Sequence, residues 1–314
     1  MTWSLLFHAL EQGLVFGIMA LGVYVTFQVL NFPDLTVDGS FPLGAAISAR
    51  IIFTGGNPFI AIVWAIVGGV LAGGLTAFFH TRLKFTNLLS GILTMTLLYS
   101  VNLRVMGKSN IPLLGKKTIL DVFQNWFPQL SQDQLTPILF LLVVFLVKIL
   151  LDYFLGTEIG MAILATGDNE QMIRSLGVDT RITKIIGLCL SNGLVALSGS
   201  LFAQYSGFAD IGMGIGTIVA GLASVIIGRS IIRGKGNISW ITTSVIIGSL
   251  IYRVTVMFAL RYGYRLGFQP GDLKLISVLL VVIALTFPAF KGRIKALVTN
   301  NGSNEAEDKI SKGR

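Results

Sequence analysis

Three aspartates stand in stretches of this chain that are otherwise apolar. Asp34 and Asp38 fall in Asn31-Phe-Pro-Asp-Leu-Thr-Val-Asp-Gly-Ser-Phe-Pro42, and Asp210 falls in Gly207-Phe-Ala-Asp-Ile-Gly-Met-Gly-Ile-Gly216. A carboxylate in apolar surroundings has two uses. It can bind or relay a cation along a transport path, the default reading at membrane depth, or it can accept the unpaired N–H groups of a helix start. Both accounts stand for Asp34 and Asp38. Neutral polar side chains form a second set: Thr94, Thr96, Ser100 and Asn102 in one apolar run, Ser191 and Asn192 in another. Taken singly, each is explained by helix–helix hydrogen bonding, worth about 0.6 kcal/mol in a membrane. Taken together, they are candidates to line a solute path.

The third set lies between Gly160 and Asp179. Asp168 suits an N-cap, Gln171 three residues later completes a capping-box pattern, and Gly177 provides a left-handed stop. The spacing predicts a helix of about two turns, which is marginal alone in water. Met172, Ile173 and Leu176 share one face, while Glu170 and Arg174 form an i,i+4 pair. Such a face packs either on its own span ends or on a partner. Catalytic signatures are lacking: there is no His-Glu-x-x-His, no Gly-x-Ser-x-Gly, and the two histidines, His8 and His80, are too few for a His-based metal site. Gly228–Lys235 superficially resembles a phosphate-binding loop. Its spacing is one residue too long, and Gly236 stands where Ser or Thr would hold magnesium. The chain is therefore expected to be no enzyme, with no cofactor and no metal of its own.

Composition says what must position these residues. Of 314 residues, 53% are hydrophobic and only 12% charged, and mean hydropathy is +0.77. A soluble surface draws on about 25% charged residues, so most of this surface faces lipid. The expected class is an all-α polytopic membrane protein. The net charge of +9 reads as basic residues flanking spans, not as a nucleic-acid surface. Cys189 is the single cysteine, so no intrachain disulfide exists.

Apolar runs of span length fall near 10–30, 34–53, 59–79, 85–106, 136–155, 183–207, 209–228, 238–260 and 273–290, giving about nine hydrophobic segments. They define a membrane region over 1–290 and a polar tail over 291–314, with long connections at 107–135 and 156–182. If 156–184 is cytoplasmic, the inside segments hold 14 of the 24 Lys and Arg residues, as the positive-inside rule asks. The N-terminus then lies outside and the C-terminus inside. The second and seventh spans both open with Phe-x-Asp and glycines, which points to broken helices in an inverted repeat. Interfacial loops leading into ordinary spans explain the same pattern.

Residues Gly160, Gly167, Asn169, Arg174 and Gly177 form a pattern that resembles the cytoplasmic coupling loop of ABC-importer permeases of the branched-chain amino acid type. So do Gly13-x3-Gly17, Val29-Leu-Asn-Phe-Pro-Asp-Leu-Thr36, Leu43-Gly-Ala45, Ala196-x-Ser-Gly-x-Leu201 and Ala220-Gly-Leu-Ala-Ser-Val-Ile-Ile-Gly228. The likeness runs from residue 10 to 290. Asn-Phe-Pro-Asp replaces the family's more usual Asn-Phe-Ala-His-Gly and is closer to a sister group linked to aromatic amino acids. The resemblance implies a bacterial inner-membrane subunit that pairs with a second copy of itself. Two ABC ATPase subunits, carrying the ATP and magnesium, and an extracytoplasmic solute-binding protein would complete the importer. It also implies that Gly167, Asp168, Asn169, Glu170, Met172, Ile173, Arg174, Leu176 and Gly177 couple to the ATPase. Candidate pathway residues are Asn31, Phe32, Asp34, Thr36, Asp38, Thr94, Asn102, Ser191, Asn192 and Asp210. The competing class is an ion-coupled secondary transporter with Asp34, Asp38 or Asp210 as its coupling site.

Overall fold

A chain in lipid must satisfy its own backbone N–H and C=O groups, and helices do so within one segment. The computed structural model describes residues 2–129, 131–231 and 237–264, with four further positions at Leu275, Val278, Leu279 and Val282. Its helices are α1 (Thr2–Tyr24), α2 (Val37–Phe53), α3 (Pro58–Thr81), α4 (Asn87–Met106), α5 (Ile119–Trp126) and α6 (Gln132–Leu155). They continue with α7 (Glu158–Asp168), α8 (Glu170–Ser175), α9 (Thr180–Ser206), α10 (Thr217–Ile231) and α11 (Ile238–Tyr264). Seven described segments are long and apolar enough to cross a membrane. The second expected span appears as α2, only 17 residues long. The ninth, 273–290, lies outside the described residues except for those four positions.

From Gly13 to Tyr24 helix α1 is apolar on every side and buried throughout, as such a stretch must be. It packs against α6, α9, α10 and α11. By contrast α3, α4 and α6 turn Trp64, Leu71, Leu97, Leu141 and Phe145 outward, away from the bundle interior. Two glycines bring α3 close to α9: a Cβ on Gly69 would come 2.3 Å from the Asn192 carbonyl oxygen, and one on Gly73 2.2 Å from that of Leu188. Small residues at this spacing let α3 lie directly on α9.

Residues Val25–Val29 form a π-helical turn extending α1. The chain then reverses through Asn31, whose φ is +51°, before α2 starts. Two strands not expected from the sequence, β1 (Asn110–Pro112) and β2 (Phe208–Asp210), pair antiparallel with Ile111 opposite Ala209. They tie the 107–135 connection, which also contains α5, to the end of α9. The strands mark one end of the bundle, and α7, α8 and the 82–86 turn mark the other.

Candidate coupling loop and polar interior

The candidate coupling loop is built in two pieces. Gly167 lets α7 touch the end of α1's extension: a Cβ there would lie 1.9 Å from the Val29 carbonyl oxygen. Thr166 and Thr183 hydroxyls, 3.0 Å apart, tie α7 to α9. The helix cap falls one residue later than expected. Helix α7 continues through Asp168, so the extended bend falls at Asn169, whose side chain accepts from Met172 N at 3.0 Å. Gly177 takes φ +87° as anticipated.

The apolar face also needs correction. Ile173 is 6% exposed and packs inward, because the turn after α8 folds Val178 N back onto the Ile173 carbonyl at 3.3 Å. Met172 at 51% and Leu176 at 70% exposed are what the loop offers outward. Glu170 forms the expected bond to Arg174 Nη2, but it does more than that. Thr180 Oγ1 donates to that same Glu170 oxygen, Oε1, at 3.1 Å, and the other, Oε2, accepts from Lys184 Nζ at 2.8 Å. Partial burial pushes the Glu170 carboxyl up. The Lys184 hydrogen bond and charge, Thr180 and Arg174 outweigh that and hold it below the usual range. Lys184 and Thr180 are thus part of the loop's anchorage. The sequence signal for Lys184 was only its place among the basic residues beside a span start.

Among the pathway candidates, several gather in one buried cluster between α2, α3 and α9. Asn192 Nδ2 donates to Asp34 Oδ2 at 2.8 Å, Ser40 Oγ donates to Asn192 Oδ1 at 2.7 Å, and Thr36 N donates to Asp34 Oδ1 at 2.9 Å. Thr36 and Thr76 hydroxyls meet at 2.8 Å. Phe32 is buried edge-on against His80, with centroids 5.2 Å apart, while Asn31 is exposed. Thr94 bonds to its own helix at the Ser90 carbonyl, 2.9 Å. Ser191 bonds to the Gly22 carbonyl at 2.7 Å and Asn102 to the Gly39 carbonyl at 3.2 Å.

Asp38 caps a helix other than its own. It accepts from Gly216 N at 3.0 Å, Ile218 N at 2.8 Å and Thr217 Oγ1 at 2.9 Å, closing the start of α10. The starts of α2 and α10 therefore meet inside the bundle. From there α2 runs towards the strands, where Ile52 packs with Ile111. Helix α10 runs towards the coupling loop, where Arg229 meets Gln28. Asp210 lies apart, at the strand end, capping Gly212 N at 2.8 Å and accepting from Asn110 Nδ2 at 3.3 Å. Each aspartate thus has protein donors on it.

Residues 5–286 match the family described as "Branched-chain amino acid transport system / permease component". The chain belongs to this permease family. The permease is 47% identical over 277 residues to a tyrosine transport system permease protein of Clostridioides difficile, covering 88% of each chain. It is 27% identical to the ribose import permease protein RbsC of Escherichia coli, covering 88% of this chain and 80% of that one. A solved structure of PsaBC from Streptococcus pneumoniae in complex with Fab shares the fold, with TM-score 0.51, 15% identity and 88% and 89% coverage. The chain is thus a multi-pass permease component of an ABC importer, a membrane subunit and not an enzyme.

A cavity of about 900 Å³ opens at the strand end of the permease, lined by Phe59, Lys116, Lys117, Val122 and Trp126 among others. Lys108 and Lys116 each stand 5.2 Å above the Phe53 ring beside it. No sequence motif marks this lysine–aromatic arrangement in the 107–135 connection.

Proposed function

We propose that this chain is the pathway-forming subunit of a bacterial inner-membrane importer for an amino acid, with aromatic amino acids the first class to test. The carrying observation is the 47% identity, along 88% of both chains, to a permease named for tyrosine transport. ATP hydrolysis resides on two partner ATPases that receive the α8 loop, and an extracytoplasmic binding protein delivers solute at the strand end. The coupling-loop end faces the cytoplasm, in keeping with Arg82, Lys84, Arg174, Arg181 and Lys184 there. A binding protein with acidic docking residues would suit Lys108, Lys116 and Lys117 at the opposite end.

Two copies of the chain would enclose the path between them. Helix α4 supports this placement. It is the least buried candidate span, and its hydropathy of 1.4 is well below the 2.7 of α6. Its open face carries Thr96, Tyr99 and Ser100, which lipid gives no reason to expose. The buried polar cluster around Asp34 then holds α2, α3 and α9 together behind that lining. The aspartates' existing hydrogen-bond partners favour this reading over ion coupling. The test is uptake by the reconstituted importer with its binding protein, offering tyrosine, other amino acids and ribose. Uptake of ribose but no amino acid would overturn the substrate reading.

A further inference from the structure

A second cavity, of about 450 Å³, opens at the coupling-loop end between the 82–86 turn, α8 and the start of α9. Four cationic side chains line it, Lys84, Arg174, Arg181 and Lys184, against the single carboxylate of Glu170, leaving a formal charge of +3 with His80 neutral. Glu170 is engaged by Arg174 and Lys184. The side chains of Lys84 and Arg181 have no ion-pair or hydrogen-bond partner among the described residues. Lys84 also holds a left-handed backbone, φ +59°, which a side chain adopts at a cost. Like charges gathered around one cavity repel, so this arrangement is unfavourable unless an anion neutralises it.

The position indicates which anion. The spans on either side end at Thr81 and begin at Asn87, so the cavity sits where span gives way to water, at headgroup depth. Helices α4 and α9 both start beside it, directing the positive ends of their dipoles towards it. Next to it Phe78, Leu83 and Leu88 are 47–50% exposed, an apolar surface that acyl chains can cover. Basic pockets between spans on the cytoplasmic side are suited to anionic headgroups.

We propose that this cavity binds the phosphate of an anionic phospholipid of the inner leaflet, through Lys84, Arg181 and Lys184. A lipid held there touches the turn between α3 and α4 on one side and the anchorage of α8 on the other. Lipid composition would then bear directly on the element that meets the ATPase. The inference rests on the inner-face orientation proposed above.

Native mass spectrometry of the detergent-purified permease, without ATPase, tests it. The chain is incubated with phosphatidylglycerol, with phosphatidylcholine of the same acyl composition, or with sodium phosphate. Retention of phosphatidylglycerol over phosphatidylcholine is expected. Each basic group contributes about fivefold, so Lys84→Gln with Arg181→Gln should weaken retention about 25-fold, while Lys84→Arg with Arg181→Lys should keep it. Displacement of bound phosphatidylglycerol by millimolar phosphate would support the phosphate site and make its occupant a soluble anion. Equal retention of the two lipids, or an unchanged affinity in a double Gln variant that elutes as a folded species, overturns the proposal. Loss of ATPase copurification by that variant with lipid binding intact also overturns it, and assigns the cations to the ATPase interface. The orientation is tested separately by labelling Lys84→Cys from either side in a background lacking Cys189.

Discussion

Replacing Met172 and Leu176 with alanine should release the partner ATPase while leaving the permease folded. Complete burial of a large apolar side chain is worth about 1.5–3 kcal/mol. In the free chain Leu176 is 70% and Met172 51% exposed. Only that exposed share is available to a partner, which gives about 1–2 kcal/mol for Leu176 and about 0.8–1.5 kcal/mol for Met172. Alanine retains part of each. The double variant should therefore weaken docking by about 1.5–3 kcal/mol, or roughly 10- to 150-fold. Ile173→Ala is the informative contrast. Its side chain is already buried in the permease, so truncation should lower the permease's own thermal stability, by about 2–5 kcal/mol if the site cannot relax. The assay is ATPase affinity measured on purified permease, with a thermal scan of the permease alone. Wild-type ATPase affinity in the Met172/Leu176 double variant would refute the reasoning, as would its strong loss in a variant unfolded to the same degree as Ile173→Ala.

Three further outcomes follow from the geometry. Asp38→Asn leaves an NH₂ facing backbone N–H donors at the α10 start, so it should cost about 2–3 kcal/mol of stability, seen as a lowered melting temperature in detergent; an unchanged melting temperature would remove Asp38 as the cap. Glu170 titrates below its unfolded value of about 4.3, so its contribution to the loop is complete above that value and fades as pH falls through the lower folded value. Hydrogen exchange of α8 should therefore be faster in Glu170→Gln than in wild type at pH 7, with the difference vanishing in acid; a difference that persists in acid would contradict this. Ser100→Cys in a background lacking Cys189 should cross-link two copies through α4, whereas Leu141→Cys on α6 should not; the reverse pattern would move the dimer contact away from α4.

Much of the membrane architecture was legible because its signal is local. A run of apolar residues is legible as a candidate span whatever it packs against. Gly177 as a helix stop and the Glu170–Arg174 pair were equally local, and both are present. What escaped the sequence depended on distant partners. The β1–β2 pairing joins residues about 100 positions apart, and strands of three residues, one of them with a proline, leave no periodic trace. Asp38 read equally as a pathway carboxylate or as a cap for its own helix start; it caps α10, because the two helix starts meet only in the folded bundle. Ile173 was assigned outward from helical spacing, but the tight turn at Gly177 and Val178 rotates it inward. Asp168 lost the cap for a similar reason: α7 runs one residue further than the motif implied. Of the neutral polar residues within spans, Asn102, Ser191 and Asn192 bond between helices, whereas Thr94 and Thr96 bond back onto α4 itself. Their partners, such as Asn192 on Asp34, required the fold.

Uptake in proteoliposomes tests the central claim most directly. The permease is reconstituted with its ATPase, binding protein outside and ATP inside, and amino-acid accumulation is followed with and without a protonophore. Accumulation should require ATP, stop with a hydrolysis-deficient ATPase, and survive collapse of the ion gradients. Accumulation by the permease without the ATPase, abolished by the protonophore, would contradict the account and make the chain a secondary transporter.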